Sequence, residues 1–412
     1  MKKGMLLLAM VLLIITAVCT GAMAEDNVCG DGLTWSYDEE NCVLTITGTG
    51  SMDDYYNIQG KAVPWNSRTV KSVVIESGVT HIGSGAFAGN SWLSSVTIPD
   101  SVTSIGDNAF SCCYGLAEII IPENVKSIGD FAFDSCESLK SIVIPASVQT
   151  IGVNSFSCCS ALEEVTVAGT PEIRMGAFWE CTKLSSVSIP EGAVLGEAVF
   201  YGCHLLCDDD GFVVKNGILF EYSGQAASAV IPAGVRKISA YAFRSGTMSS
   251  VSIPDSVTDI GPYAFYLCTN LGSIEIPINI TVIRQYTFSG CSNLSGVSLA
   301  GDITAIEQYA FSGCSNLENI EIPSTVTSIG SYAFSGCSSL SSLNVPETVA
   351  TIGTNAFSRC TGLQDENGIV EIHGILFGYY GTESSLTVPA TVRRIDRYIV
   401  DNKSFADKHR FP

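Results

Sequence analysis

Leu317-Glu-Asn-Ile-Glu-Ile-Pro323-Ser-Thr-Val326-Thr-Ser-Ile329-Gly330-Ser-Tyr332-Ala-Phe334-Ser-Gly-Cys337 is one turn of a repeat, and its reading decides the fold. Ile320, Glu321 and Ile322 alternate apolar, polar, apolar, the pattern of a half-buried strand. Pro323 has no N–H to give to a ladder and ends that strand. Val326 and Ile329 turn a second apolar pair inward. Phe334 and Cys337, three residues apart, fit a single helical turn that closes the coil. A unit this short cannot bury its apolar edge alone, but stacked copies bury it against one another.

The copies are present. The aromatic of the unit recurs at Phe87, Phe110, Phe133, Phe156, Phe178, Phe200, Phe243, Phe265, Phe288, Phe311, Phe334 and Phe357, in steps of 22 or 23 residues broken by one step of 43. Val400 fills the thirteenth place. Coils stacked at about 4.8 Å give a strand face roughly 60 Å long.

The motif L-x-x-V-x-I-P-x-x-V-x-x-I-G-x-x-A-F-x-x-C, carried over residues 70–400, resembles the BspA-like leucine-rich repeats of bacterial surface proteins. The resemblance implies a leucine-rich-repeat solenoid, a right-handed superhelix that is mainly β with short helical turns and a parallel sheet on one face. It also implies adhesion or capture of extracellular proteins or glycans. Alternation along the strands points one residue per coil outward: Thr97, Ile120, Val143, Thr166, Ser188, Ser252, Glu275, Ser298, Glu321 and Asn344. These residues form the expected ligand-binding face. Ile120 and Val143 stand out there as consecutive apolar positions in a row that is otherwise polar.

Departures from the motif are informative. Gly follows the inward Ile at Gly83, Gly106, Gly129 and Gly330, yet Ser239, Arg284, Glu307 and Asp396 hold the same place, so that position cannot demand a backbone open only to glycine. The long step hides a larger repeat. Phe212-Val-Val-Lys-Asn216-Gly217-Ile-Leu-Phe-Glu-Tyr222 matches Ile369-Val-Glu-Ile-His373-Gly374-Ile-Leu-Phe-Gly-Tyr379 at an offset of 157. Asn-Gly between two apolar runs signals a two-residue hairpin, and His373 in the copy has to accept a positive φ.

The chain begins with Lys2 and Lys3, an uncharged apolar run over residues 5–18, and Ala22-Met23-Ala24, which together read as a cleaved secretory signal. The run is short for a membrane span. Val18 and Thr16 do not fit a lipidation site at Cys19. The expected organisation is a signal peptide (1–24), an N-terminal β cap (25–69), a repeat array (70–401) with hairpin insertions near 208–224 and 365–381, and a polar tail (402–412). In the cap, Trp35, Tyr55, Tyr56 and Trp65 are read as core, with carbohydrate contact as the sharper alternative. Residues 394–412 carry no sorting motif and no apolar anchor, so a released or non-covalently held protein is expected, secreted or at the cell surface. The formal charge of −20 disfavours nucleic acid and anionic membrane surfaces as partners and suits a soluble apolar stack.

The sixteen cysteines sort by position. Ten form a column: Cys113, Cys136, Cys159, Cys181, Cys203, Cys268, Cys291, Cys314, Cys337 and Cys360. Equivalent side chains on stacked coils share one orientation and do not supply the torsion of a disulfide, so buried thiols are expected. Cys29 and Cys42 lie outside the array in an oxidising compartment and are the pair put forward for a disulfide; Cys203 with Cys207 is a weaker one. No metal, cofactor or catalytic residue is assigned. The four histidines are scattered, and Asp208-Asp209-Asp210-Gly211, echoed by Asp365-Glu366-Asn367-Gly368, reads as a solvated turn rather than a calcium loop. The function expected is binding; a surface spacer without a ligand is the alternative, and an enzyme with an unrecognised site comes last.

Overall fold

The computed structural model describes residues 27–55, 62–381 and 386–396. The expected signal peptide, the C-terminal tail, Tyr56 and Val400 lie outside the described residues. The described chain is a right-handed β-solenoid of stacked coils.

Each coil contributes to the stack on three sides. The first is the strand read from the sequence. Ser273–Ile276, for example, runs parallel to Gly296–Leu299, with Glu275 beside Ser298. The second is a ladder of two-residue strands at the inward Ile: Ala305–Ile306 pairs in parallel with Ser328–Ile329, and that with Thr351–Ile352. The sequence reading named one sheet; this second ladder is additional. Between the two, the proline opens a turn, with the Val326 N–H donating to the Pro323 carbonyl at 3.0 Å.

The third side carries the Phe and Cys columns. Turns within the coil, such as Cys337 N–H to the Phe334 carbonyl at 3.1 Å, alternate with bonds to the next coil from Tyr332, Phe334 and Gly336 to Thr354, Ala356 and Ser358 at 3.0, 2.8 and 2.8 Å. That alternation requires left-handed backbone two residues before and two after each Phe, as at Tyr332 (φ 58°) and Gly336 (φ 79°). Cys112 (φ 58°) and Cys158 (φ 56°) occupy the second of these positions, which accounts for thiols that fall outside the column. The glycine after the inward Ile has no such φ. A Cβ on Gly330 would instead lie 2.4 Å from the backbone nitrogen of Gln308 in the preceding coil, so glycine there permits a close approach of the two coils.

Inside, the Phe rings stack coil upon coil. Centroids from Phe87 to Phe200 are 5.1–5.7 Å apart, and Trp65 of the cap supplies the first rung, 5.6 Å from Phe87. Trp65 is fully buried and donates Nε1–H to the Ala86 carbonyl; Trp35 packs edge-on against it at 5.9 Å, and Tyr55 at 5.7 Å. These three cap aromatics are therefore packing residues. The hairpins close the columns. Phe220 meets Phe200 edge-on at 87°, and Phe377 meets Phe357 at 77°, so the core divides near the first hairpin. Phe212–Lys215 and Ile218–Tyr222 pair antiparallel across Asn216 (φ 49°) and Gly217, and Ile369–Ile372 and Ile375–Tyr379 do so across His373 (φ 52°) and Gly374.

The Cys29–Cys42 disulfide is not formed. Cys29 lies beside the Leu33 end of the hairpin made by Leu33–Asp38 and Val43–Gly48, whereas Cys42 adjoins its Asp38 end. Five residue steps of strand, roughly 17 Å, separate those ends, well beyond the ~7 Å that a disulfide spans.

Candidate binding face

The expected face residues fall where alternation puts them. Val143, Thr166 and Ser188 lie side by side in register on consecutive coils, as do Glu275 and Ser298. Nine of the ten are exposed, and Thr166 is half-buried. Ile120 is 83% exposed and Val143 61%, on neighbouring coils. Farther along, Ser252, Asp255, Glu275 and Ile278 border a hollow of about 610 Å³ on the same face. The face thus offers an apolar pair before the first hairpin and, after it, an exposed Val230 beside Ser252 and an acidic hollow with an exposed Ile278 at its rim.

The cysteine column points the other way, into the core. All ten thiols donate to the carbonyl of the Phe in the preceding coil, from Cys113 on Phe87 at 3.2 Å to Cys360 on Phe334 at 3.0 Å. Burial pushes the Cys113 and Cys360 thiols up to about 12 and holds Cys136, Cys159, Cys181 and Cys337 well above the ordinary thiol range. A neutral thiol filling a small site is chemically inert there. Cys207 sits 3.0 Å from the Ser223 hydroxyl, not in a bridge to Cys203.

The acidic turns hold the hairpins. Asp208 Oδ1 accepts from the N–H groups of Asp210 and Phe212 at 3.1 and 2.8 Å, and Asp365 repeats the arrangement with Asn367 and Ile369. Among the described residues, no group of three or more His, Cys, Asp or Glu side chains has metal-binding geometry.

Two clusters escaped the sequence reading. Glu221, on the first hairpin, is buried, accepts from the Gly202 N–H at 3.0 Å and pairs with His204 Nδ1 at 2.6 Å. Burial outweighs the histidine and raises its carboxyl above the usual range. The second hairpin has Gly378 in that place, so the pair belongs to one insertion only. In the first coils, His81 Nδ1 lies 2.7 Å from Ser104 Oγ, and Nε2 lies 3.6 Å from Asp54 Oδ1. The order is that of a hydrolase relay, but 3.6 Å exceeds a hydrogen bond. Asp54 is 65% exposed and already takes the Ser84 N–H at 2.7 Å. A relay needs convergent groups in a water-poor cleft, and these three stand on the second ladder's flank.

The family model for the BspA type leucine-rich repeat region matches residues 61–185, 114–207, 217–308, 236–364 and 295–407. A leucine-rich cell surface protein of Faecalibacterium prausnitzii is 30% identical, with 81% of this chain and 95% of that one aligned and a TM-score of 0.52. A leucine-rich repeat protein of Eubacterium ventriosum shares the fold at 24% identity and a TM-score of 0.55, covering 82% of this chain and 95% of that one. No functionally curated protein matches. Among the described residues, no helix is long and apolar enough to cross a membrane.

Proposed function

This chain belongs to the BspA-type leucine-rich-repeat family, and from that premise we propose that it is an extracellular binding protein, secreted or at the cell surface, whose strand face contacts protein or glycan ligands. The 30%-identical relative is a cell surface protein, and residues 1–24 carry the pattern of an export signal. Residues 25–69 then serve as the cap that shields the first coil.

The observation that carries this reading is the Ile120–Val143 pair, exposed on adjacent coils of a face whose other outward residues are mostly polar, Val230 beside Ser252 being a lone apolar one. Grouped apolar side chains on a polar surface seed an interaction patch. A long, rigid, open face suits a macromolecule better than a small molecule. The test is saturable binding of the purified chain to a panel of immobilised extracellular-matrix proteins and glycans. Ile120→Ser with Val143→Ser is expected to weaken the captured ligand while leaving the melting temperature nearly unchanged. No saturable binding across the panel would favour a surface spacer.

A further inference from the structure

The third side of the coils that follow the first hairpin carries a row of side chains outside both the core and the strand face. Tyr241, Tyr263, Tyr286, Tyr309 and Tyr332 occupy the position two before Phe in five consecutive coils. Their rings stack with centroids 4.9, 4.5, 4.6 and 4.7 Å apart and planes within 17° of parallel. Each is half-buried. Tyr201 and Trp179 prolong the strip past the first hairpin, at 5.8 and 5.5 Å from Tyr241.

This position has left-handed backbone, with φ between 57° and 64° at the five tyrosines. Elsewhere in the stack five of the seven such positions hold Gly or Asn, which tolerate such a φ (Gly85, Asn108, Asn154, Gly176 and Asn355), and the other two hold Phe131 and Ala198. A bulky side chain there costs about 1–2 kcal/mol, against about 0.5–1.5 kcal/mol returned by each aromatic pair. Stacking therefore roughly offsets the strain, and the half of each ring left exposed stays available at the surface.

The chain just ahead of three of these tyrosines borders a shallow groove of about 450 Å³ whose polar lining is Gln285, Glu307, Gln308, Ser328, Ser331 and Thr351; the tyrosines themselves stand outside that lining. Gln285, Gln308 and Ser331 immediately precede Tyr286, Tyr309 and Tyr332 in the chain. Amides, hydroxyls and one carboxylate thus run parallel to a row of phenols. The ring faces are spent on each other, so the ladder offers ring edges and hydroxyls, one set per coil.

From this geometry we propose that the tyrosine ladder and its groove bind a linear, uncharged, β-linked glycan lying along the solenoid axis. Three properties select this ligand. Its hydroxyls, present on every ring and uncharged, match phenol hydroxyls beside amides. An extended β-linked pyranose chain advances by about one ring per residue, close to the coil spacing, whereas an extended peptide advances ~3.4 Å per residue and a nucleic acid strand ~3.4 Å per base. The net charge of −20 selects against anionic glycans. The site lies on a different side of the coil from the strand face and does not depend on it.

Isothermal titration of the purified chain with cellohexaose, chitohexaose and their trisaccharides tests this. At least one hexasaccharide is expected to bind, ten-fold or more tighter than its trisaccharide, because each added sugar meets another tyrosine. Tyr286→Asn with Tyr309→Asn, which places in these coils the residue already used at Asn108 and Asn154, is expected to weaken binding at least ten-fold with the fold retained by circular dichroism. Tyr309→Phe, which keeps the ring and removes one hydroxyl, gives a smaller loss and serves if the double variant misfolds. Ile120→Ser with Val143→Ser leaves glycan binding unchanged, which separates this site from the strand face. Absence of binding by either hexasaccharide, equal affinity for tri- and hexasaccharide, or wild-type affinity in the tyrosine variants would overturn the proposal.

Discussion

Phe311→Ala probes the stacked core directly. Phe311 is fully buried, with Phe288 and Phe334 each 5.3 Å away on either side. A buried Phe removes roughly 150–200 Å² from water, worth about 4–5 kcal/mol at ~25 cal/mol per Å². Ala retains part of that, and the cavity left behind adds to the loss, so a cost of about 3–5 kcal/mol is expected. In a solenoid each coil touches only its neighbours. Hydrogen exchange read by mass spectrometry should therefore show lost protection centred on the coils of Phe288, Phe311 and Phe334. Peptides around Phe110 and Phe133, beyond the hairpin that interrupts the Phe column, should keep wild-type rates. Undiminished protection at residues 280–345 would refute the packing assignment, and equal loss along the whole chain would refute nearest-neighbour coupling.

Ser155 stands where other coils have Ala, fully buried and with no partner for its hydroxyl, so Ser155→Ala should stabilise the protein by about 1–2 kcal/mol in urea unfolding. Thr287, in the same column, donates to the Arg284 carbonyl at 2.8 Å, and Thr287→Ala should bring no such gain. The column thiols should be unreactive to a maleimide at pH 8 in the native protein, and ten or more should react without reductant in guanidinium. The folded pKa values of Cys113, Cys136, Cys159, Cys181, Cys337 and Cys360 lie above that of an unfolded thiol, ~8.5. The native state then holds protons that the unfolded chain has released, so stability should be full below pH ~8.5 and fall steadily as pH rises toward 12; a melting temperature flat from pH 8 to 11 would contradict the burial. Ser104→Ala should leave any trace of p-nitrophenyl acetate hydrolysis unchanged, because the Asp54–His81–Ser104 cluster lacks a closed site.

What could be read from the sequence follows from periodicity. Residues like Phe311 and Cys337 recur every 22 or 23 residues because a stacked core admits the same side chain at the same place in every coil, so the spacing alone exposes the column. Asn216 and His373 revealed their turns because a two-residue hairpin needs positive φ there. The left-handed positions around each Phe were hidden because no single residue type marks them: Asn108, Phe131, Gly176, Ala198 and Tyr241 all adopt them, held by bonds between coils rather than by local preference. The tyrosine run was visible as spacing, but its stacking and groove depend on coil-to-coil alignment. The second ladder uses only two residues per coil, too few for alternation to register. Cys29 and Cys42 are close in sequence, and only the direction of the intervening hairpin separates them.

The most direct test of the binding account is a footprint. Hydrogen exchange of the chain alone and saturated with the matrix protein captured on the panel should show new protection at the strand segments around Ile120, Val143 and Thr166, with the hairpins at residues 212–222 and 369–379 unchanged. Protection confined to those hairpins, with the strand segments exchanging as in the free chain, would contradict the assignment of the strand face as the ligand-contacting surface.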